Sequence, residues 1–151
     1  MTQEEIQLLI QDICARLQSG LICSIYREDD EGFGWRDAEC KGYFQNNGSY
    51  EFYFDDVITI YNIERLKPYL RPLSSMTEDE FKELKSATDL NYDQLELVSW
   101  PGGSTTLEFY LEEVPQYCVI NVFNWLNKNH FDYRGLITMG LALEAPEGMY
   151  N

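Results

Sequence analysis

Positively charged side chains are scarce in this sequence of 151 residues, which has 11 lysines and arginines against 26 aspartates and glutamates. The formal net charge at pH 7 is therefore −15. Proteins that bind nucleic-acid phosphates or anionic lipids directly present positively charged surfaces. We therefore expect neither direct nucleic-acid binding nor membrane binding. The expected partner is a protein, and the charge favours a basic one.

Long apolar runs are also missing, since none approaches the roughly 20 residues that span a bilayer. Segment 1–6 has neither positive charges nor a small-residue cleavage site, so it does not resemble a secretory signal. These two absences predict a cytoplasmic protein. No pattern in the sequence predicts its oligomeric state.

The four cysteines, Cys14, Cys23, Cys40 and Cys118, form no CxxC pair. Free thiols are the favoured interpretation because cytoplasmic thiols are kept reduced. A zinc site built from Cys23, Cys40, Cys118 and His130 is an alternative, although this spacing matches no usual ligand pattern. Disulfides are a third alternative.

The apolar content indicates a folded chain, because 44% of the residues are hydrophobic and 15% are aromatic. The pattern predicts an α+β fold, in which an N-terminal helix and C-terminal helices pack on a bent antiparallel sheet. A single domain is predicted over 1–151. In the alternative, in which the chain is subdivided, the boundary lies near 86–93.

Two capping boxes mark helix starts, one formed by Thr2 with Glu5 and the other by Thr77 with Glu80. Apolar residues at helical spacing follow both boxes and recur near the C-terminus. The helices are predicted over residues 2–18, 77–88 and 116–129.

Strand signals dominate the chain between the first two helices, and strands are predicted over 21–26, 37–44, 49–54 and 57–61. Asn46-Asn47-Gly48 predicts a hairpin turn, because both central residues tolerate positive φ. The acidic, glycine-punctuated segment 28–34 is predicted to be a loop. Prolines predict an extended segment over 67–72, whose positive charges we expect to pair with the chain's own carboxylates rather than to bind an anion.

A second hairpin is predicted from alternating residues on either side of Pro101-Gly102-Gly103. The register that keeps its leucines on one face places Glu96 opposite Glu108. Directly opposed like charges are unfavourable, so this face requires a cation or open water.

This hairpin supplies the candidate partner surface, because aromatic and acidic side chains share its outward face. The alternative is that helix 116–129 covers the aromatic side chains. The candidate residues are Glu96, Trp100, Glu108, Tyr110 and Glu112.

No pattern identifies a catalytic, cofactor-binding or metal-binding residue. The sequence has no phosphate-binding glycine loop and no nucleophile elbow. His130 with Asp132 would form a general base in one interpretation, and in the favoured one His130 only interacts with a helix C-terminus. The paired carboxylates are more typical of a solvated acidic face than of a cation site.

Several strings in the chain resemble those of a family of short acidic proteins encoded in Bacteroides genomes and their phages or mobile elements. They are DICARL at 12–17, IERLKPYLRPLSSMT at 63–77, WLNKNHFDYRGLI at 125–137 and GLALEAP at 140–146. The resemblance implies a cytoplasmic, phage-linked protein and carries over no activity and no catalytic residue. The hairpin near 94–112 looks longer than in typical members of that family. We therefore expect features specific to this chain to lie in the hairpin.

The resulting functional hypothesis is a non-enzymatic interaction protein of a phage or mobile element that acts through an acidic surface. A nucleic-acid mimic that blocks a basic protein is its most specific form. The alternatives are a small carboxylate- or metal-dependent enzyme and a virion-associated structural protein.

Overall fold

The computed structural model describes residues 1–30, 32–54, 58–90, 94–110 and 114–150, and within them all side chains except those of Asp29, Asn46 and Ile58. The helices are α1 (Gln3–Arg16), α2 (Glu78–Ala87) and α3 (Gln116–Lys128). The strands are β1 (Ile22–Asp29), β2 (Gly32–Asn46), β3 (Ser49–Phe54), β4 (Ile58–Ile60), β5 (Leu66–Pro72), β6 (Leu95–Ser99), β7 (Thr105–Phe109), β8 (Phe131–Asp132) and β9 (Leu143–Glu144).

Helices α1 and α2 begin at the predicted capping boxes. The Glu5 N–H donates to the Thr2 hydroxyl over 3.1 Å, and the Thr2 N–H donates to the Glu5 carboxylate over 2.7 Å. The same reciprocal pair joins Thr77 and Glu80 over 3.2 and 2.9 Å. Each box satisfies two backbone donors that the first helical turn leaves without partners, so both predicted helix starts are confirmed.

The larger sheet has the strand order β4-β3-β2-β1-β5-β8, and β9 also pairs with β5. Its pairs from β4 through β5 are all antiparallel. The predicted α+β fold, with an N-terminal helix on a bent antiparallel sheet, is therefore confirmed. The parallel pairing of the two-residue strands β8 and β9 with β5 was not part of that prediction.

The loop predicted over 28–34 is wrong for most of that segment, because β1 continues to Asp29 and β2 begins at Gly32. Tyr26 lies directly opposite Trp35, and their ring centroids are 5.5 Å apart. Phe33 stacks on the same tyrosine at 6.4 Å. Cross-strand aromatic contacts of this kind extend the ladder where composition indicated a loop.

Strand β5 brings distant segments of the chain together. It pairs with β1 on one side, and the Arg71 N–H donates to the His130 carbonyl over 2.8 Å on the other. The Ala145 N–H donates to the Leu70 carbonyl over 2.8 Å. The extended conformation predicted for 67–72 is confirmed, and the strings at 63–77 and 125–146 are neighbours in space.

Buried apolar side chains form two clusters. One combines α1 with the inner face of the larger sheet, including Leu9, Ile13 and Phe52. The other combines α2, α3 and the β6–β7 hairpin, including Leu84 and Leu126. The single domain over 1–151 stays a prediction. None of the helices in the described ranges combines the length and apolarity needed to cross a membrane.

Candidate functional site

The β6–β7 hairpin forms a separate two-stranded sheet. Its register places Leu95 opposite Phe109 and Leu97 opposite Leu107, and these four side chains contact the second apolar cluster. Alternation along each strand then directs the next residues outward. We call this outward surface the hairpin face. It comprises Glu96, Val98, Trp100, Thr106, Glu108 and Tyr110.

Glu96 lies directly opposite Glu108, as the leucine alternation predicts. Ion pairs between described residues include neither carboxylate. The Tyr110 hydroxyl donates to Glu96 over 2.6 Å, and this bond to the carboxylate raises the pKa of Tyr110 above its usual value. The hairpin face therefore carries two adjacent negative charges, and a neutral phenol is the hydrogen-bond donor to one of them.

The two aromatic residues of the hairpin face are open to solvent. Trp100 is 50% exposed and Tyr110 is 51% exposed, so α3 does not cover them and that alternative is wrong. The Trp100 indole N–H donates to the Thr106 hydroxyl over 3.0 Å, which orients the ring along the hairpin. Glu112, the fifth predicted residue, lies outside the described residues.

A groove of about 700 Å³ is lined mainly by residues of β6 and α2. Its apolar lining comes from Met76, Phe81, Leu95 and Leu97. Its polar lining comes from Thr77, Glu78, Glu96 and Tyr110, together with the basic residue Lys85. The groove therefore begins at the hairpin face and continues toward the first turn of α2.

Sequence reasoning missed a buried charge cluster formed around Asp12 and Arg16 of α1. Asp12 and Arg16 are both 0% exposed, and the carboxylate accepts two hydrogen bonds from the guanidinium over 2.7 and 2.8 Å. Arg16 also donates to the Phe131 carbonyl over 2.9 Å. The Arg134 Nε lies 3.3 Å from Asp12 without hydrogen-bond geometry, so it adds positive charge rather than a bond.

One sequence signal could have revealed this cluster, because Asp12 and Arg16 are four positions apart within the apolar stripe of α1. Charged residues are almost never fully buried unless they are paired. The Asp12–Arg16 pair is fully buried, so its geometry is that of a structural tie.

His130 does not pair with Asp132, which was the less favoured of the two interpretations. Its Nε2 lies 2.8 Å from the Ser19 carbonyl, which can only accept, so Nε2 carries the proton. The Asp132 carboxylate instead accepts the N–H groups of Leu136 and Ile137 over 2.9 and 2.8 Å. The general-base interpretation is therefore wrong.

Burial keeps the His130 side chain uncharged near pH 7. The side chain stacks on Tyr150 with ring centroids 3.7 Å apart, and its Nδ1 has no partner among the described atoms. Burial, reinforced by the charges of Arg16 and Arg71, lowers the pKa of His130 to about 4, although its bond to Ser19 acts in the opposite direction. The ring therefore packs as an uncharged group.

The basic segment 67–72 is partly neutralised within the chain, as expected. Arg71 binds Glu80 through two contacts of 2.8 and 3.1 Å, and its guanidinium lies 4.2 Å from the Phe131 ring centroid. Partial burial raises the pKa of Glu80, but bonds from Arg71 and Thr77 outweigh it and lower the pKa overall. Arg71 is therefore engaged within the chain.

All four cysteines are free thiols. Cys23 and Cys40 lie in the first apolar cluster and Cys118 in the second, so the zinc site proposed with His130 is not assembled. Burial raises the pKa of Cys40 to about 12. In the part of the chain that the structure describes, no group of three or more potential ligands is placed to hold a metal ion.

Comparisons of the chain with models of protein families, with curated proteins and with solved structures found no match.

Proposed function

We propose that this protein is a non-enzymatic interaction protein of a phage or mobile element, and that its hairpin face binds a basic protein. The observation that carries the proposal is the direct opposition of Glu96 and Glu108, with Trp100 and Tyr110 about half exposed beside them. The resemblance of segments 12–17, 63–77 and 125–146 to a phage-linked family supports the proposed origin.

Opposed carboxylates are unfavourable in the free protein, and a cation supplied by a partner would relieve the repulsion between them. A lysine or arginine placed between Glu96 and Glu108 would therefore gain more than one placed beside an isolated carboxylate. The net charge of −15 adds a long-range attraction that speeds encounter with a basic protein.

The exposed aromatic side chains would supply contact area that a purely electrostatic surface lacks. Trp100 and Tyr110 are each restrained by a hydrogen bond within the hairpin, to Thr106 and Glu96 respectively. Binding would therefore cost little additional side-chain entropy, and aromatic residues at the centre of an interface contribute much of its energy.

Affinity capture from a bacterial host lysate at low and at moderate salt tests this proposal. The wild-type chain is compared with Glu96→Gln/Glu108→Gln and with Glu4→Gln/Glu83→Gln, which removes the same two charges from exposed helix positions. We expect the wild type and the helix variant to retain one basic protein, identified by mass spectrometry, that the hairpin variant loses. The retained amount should fall as salt rises, because exposed charges are screened.

Two results would count against the proposal. One is recovery of no basic protein at either salt concentration. The other is equal recovery by the two double variants, since the charge of the whole molecule would then be sufficient and the hairpin face would have no specific role.

A further inference from the structure

The backbone of β6 directs its hydrogen-bonding groups alternately toward β7 and toward the opposite edge. The Trp100 N–H donates to the Ser104 carbonyl over 2.8 Å, and the Tyr110 N–H donates to the Gln94 carbonyl over 3.2 Å. Hydrogen-bonded pairs alternate along an antiparallel ladder, so Glu96 and Val98 direct their backbone groups toward β7. Leu95 and Leu97 then direct theirs to the opposite edge.

This edge of β6 has no strand partner within the described ranges, where β7 is the only strand paired with it. An unpaired strand edge is a template for another extended segment. The groove of about 700 Å³ lined by β6 and α2 lies within the range of about 300 to 1,000 Å³ that is usual for ligand sites. Leu95 is fully buried at this edge and Leu97 is partly exposed, so Leu97 offers the backbone groups that a peptide could reach from the groove.

The side chains around the groove divide by chemistry. Met76, Phe81, Leu95 and Leu97 provide apolar contacts. Glu78 and Glu96 are exposed, whereas Lys85 is only 8% exposed and its ammonium lies 4.4 Å from the Phe81 ring centroid. The charges that the groove presents to solvent are therefore carboxylates.

We infer that the basic partner binds through an extended segment that adds to the free edge of β6 as a third strand of the hairpin sheet. This inference rests on the proposed function, because it identifies the part of the basic partner that the hairpin face would recognise. The occupant follows from charge complementarity, since the segment lies beside Glu96 and opposite Glu78.

The same geometry specifies the residue pattern of the segment. In the partner segment, the side chains next to Glu96 on the hairpin face are basic, because they extend the cross-strand row formed by Glu108 and Glu96. Side chains that flank the partly exposed Leu97 are apolar, since they would enter the groove. The partner segment therefore alternates basic and apolar residues. A second copy of this chain is disfavoured, because it would place further carboxylates beside Glu96.

The probe is a capped peptide of about nine residues in which lysine alternates with valine, a length within the usual range for strands. A peptide of identical composition, with its lysines and valines in two separate blocks, is the matched control. We expect the alternating peptide to bind at least about tenfold more tightly in a calorimetric titration, since only it separates charge and apolarity onto two faces. Equal binding of the two peptides overturns the inference.

N-methylation tests the main-chain pairing directly. One peptide series carries N-methyl groups on its valines and the other on its lysines, so each series blocks the N–H groups of one edge of the added strand. We expect one series to lose at least about tenfold in affinity and the other to retain it, because only one edge faces β6. We also expect hydrogen exchange at the Leu97 amide to slow on binding. Equal affinities of the two series overturn the inference.

Failure of the inference can be distinguished from failure of the proposed function. Glu96→Gln should weaken binding of the alternating peptide by about two- to fivefold, whereas Glu83→Gln, outside the groove, should not. If Glu96→Gln weakens binding but the two N-methyl series are equal, the hairpin face binds basic chains without strand addition. If Glu96→Gln has no effect, both proposals fail. Dimerisation of the chain through the β6 edge, seen by sedimentation and abolished by the peptide, also overturns the inference.

Discussion

His130 combines three unfavourable features in one residue. It is 2% exposed, its φ of 61° lies in the left-handed region, and its buried Nδ1 has no partner among the described atoms. Its neighbours hold it in place, since its backbone carbonyl accepts from Arg71 and its ring stacks on Tyr150. Such strain persists where surrounding contacts over-determine the conformation.

The titration of His130 should make stability depend on pH. The pKa is about 4 in the folded state and about 6.5 when the chain is unfolded, so the unfolded chain binds the proton first as the pH falls. The contribution of the neutral ring is fully present above about pH 6.5. It is lost as the pH falls toward 4, by up to about 3 kcal/mol. Urea unfolding at several pH values between 7 and 4 measures this loss.

His130→Asn is the matched control for that measurement, because asparagine tolerates positive φ and does not titrate. Carboxylates titrate in both proteins, so their effects cancel in the difference between the two free energies of unfolding. This difference should shrink as the pH falls from about 6.5 to 4. A difference that is constant over this range would contradict the assigned environment of His130.

At the level of elements, the repulsion between Glu96 and Glu108 on the charged surface of the β6–β7 hairpin lowers the stability of the protein. Glu108→Lys would convert the repulsion with Glu96 into attraction, and we expect it to raise the free energy of unfolding by about 0.2 to 1 kcal/mol. The same substitution should weaken binding of a basic partner. Thermal or urea unfolding measures the first effect, and the capture experiment measures the second.

Glu51→Lys is the control, because Glu51 is also a strand residue but lies opposite Phe44 in the larger sheet. It makes the same change in net charge without removing an opposed pair. If Glu51→Lys stabilises the protein as much as Glu108→Lys, the gain comes from general charge reduction and not from the hairpin.

The elements differ in how well the sequence predicts them. The starts of α1 and α2 depend on Thr2 and Thr77 with residues three positions later, and the hairpin register depends on alternation within a few residues. All of these predictions are confirmed. Segment 28–34 was predicted wrongly because its structure depends on Tyr26 stacking with Phe33 and Trp35 across the ladder.

Over the whole molecule, the Asp12–Arg16 pair links the two apolar clusters. Helix α1 belongs to the first cluster, whereas the carbonyls of Leu126 and Phe131 that accept from Arg16 belong to residues of the second. The pair therefore connects two parts of the chain that lie far apart in sequence.

Asp12→Ala should destabilise the protein by about 3 to 5 kcal/mol, because it leaves the buried Arg16 without its carboxylate. Asp79→Ala, which removes an exposed contact of 3.1 Å to Lys82, should cost less than about 1 kcal/mol. Urea unfolding measures both values. Similar losses for the two variants would contradict the role assigned to Asp12.

If the chain forms a single domain, circular dichroism and tryptophan fluorescence should report one common unfolding transition.

The sequence alone was enough to predict the helix starts, the Asn47-Gly48 turn, the opposition of Glu96 and Glu108 and the α+β class. Each of these features depends on residues close together in the sequence or on a simple periodicity. Features that join residues more than a hundred positions apart could not be read in this way. The tie from Arg16 to Phe131, the neutral state of His130 against Ser19 and the exposure of Trp100 depend on which segments meet. The burial and desolvation of a side chain depend on which distant segments pack around it, so only the folded structure determines them.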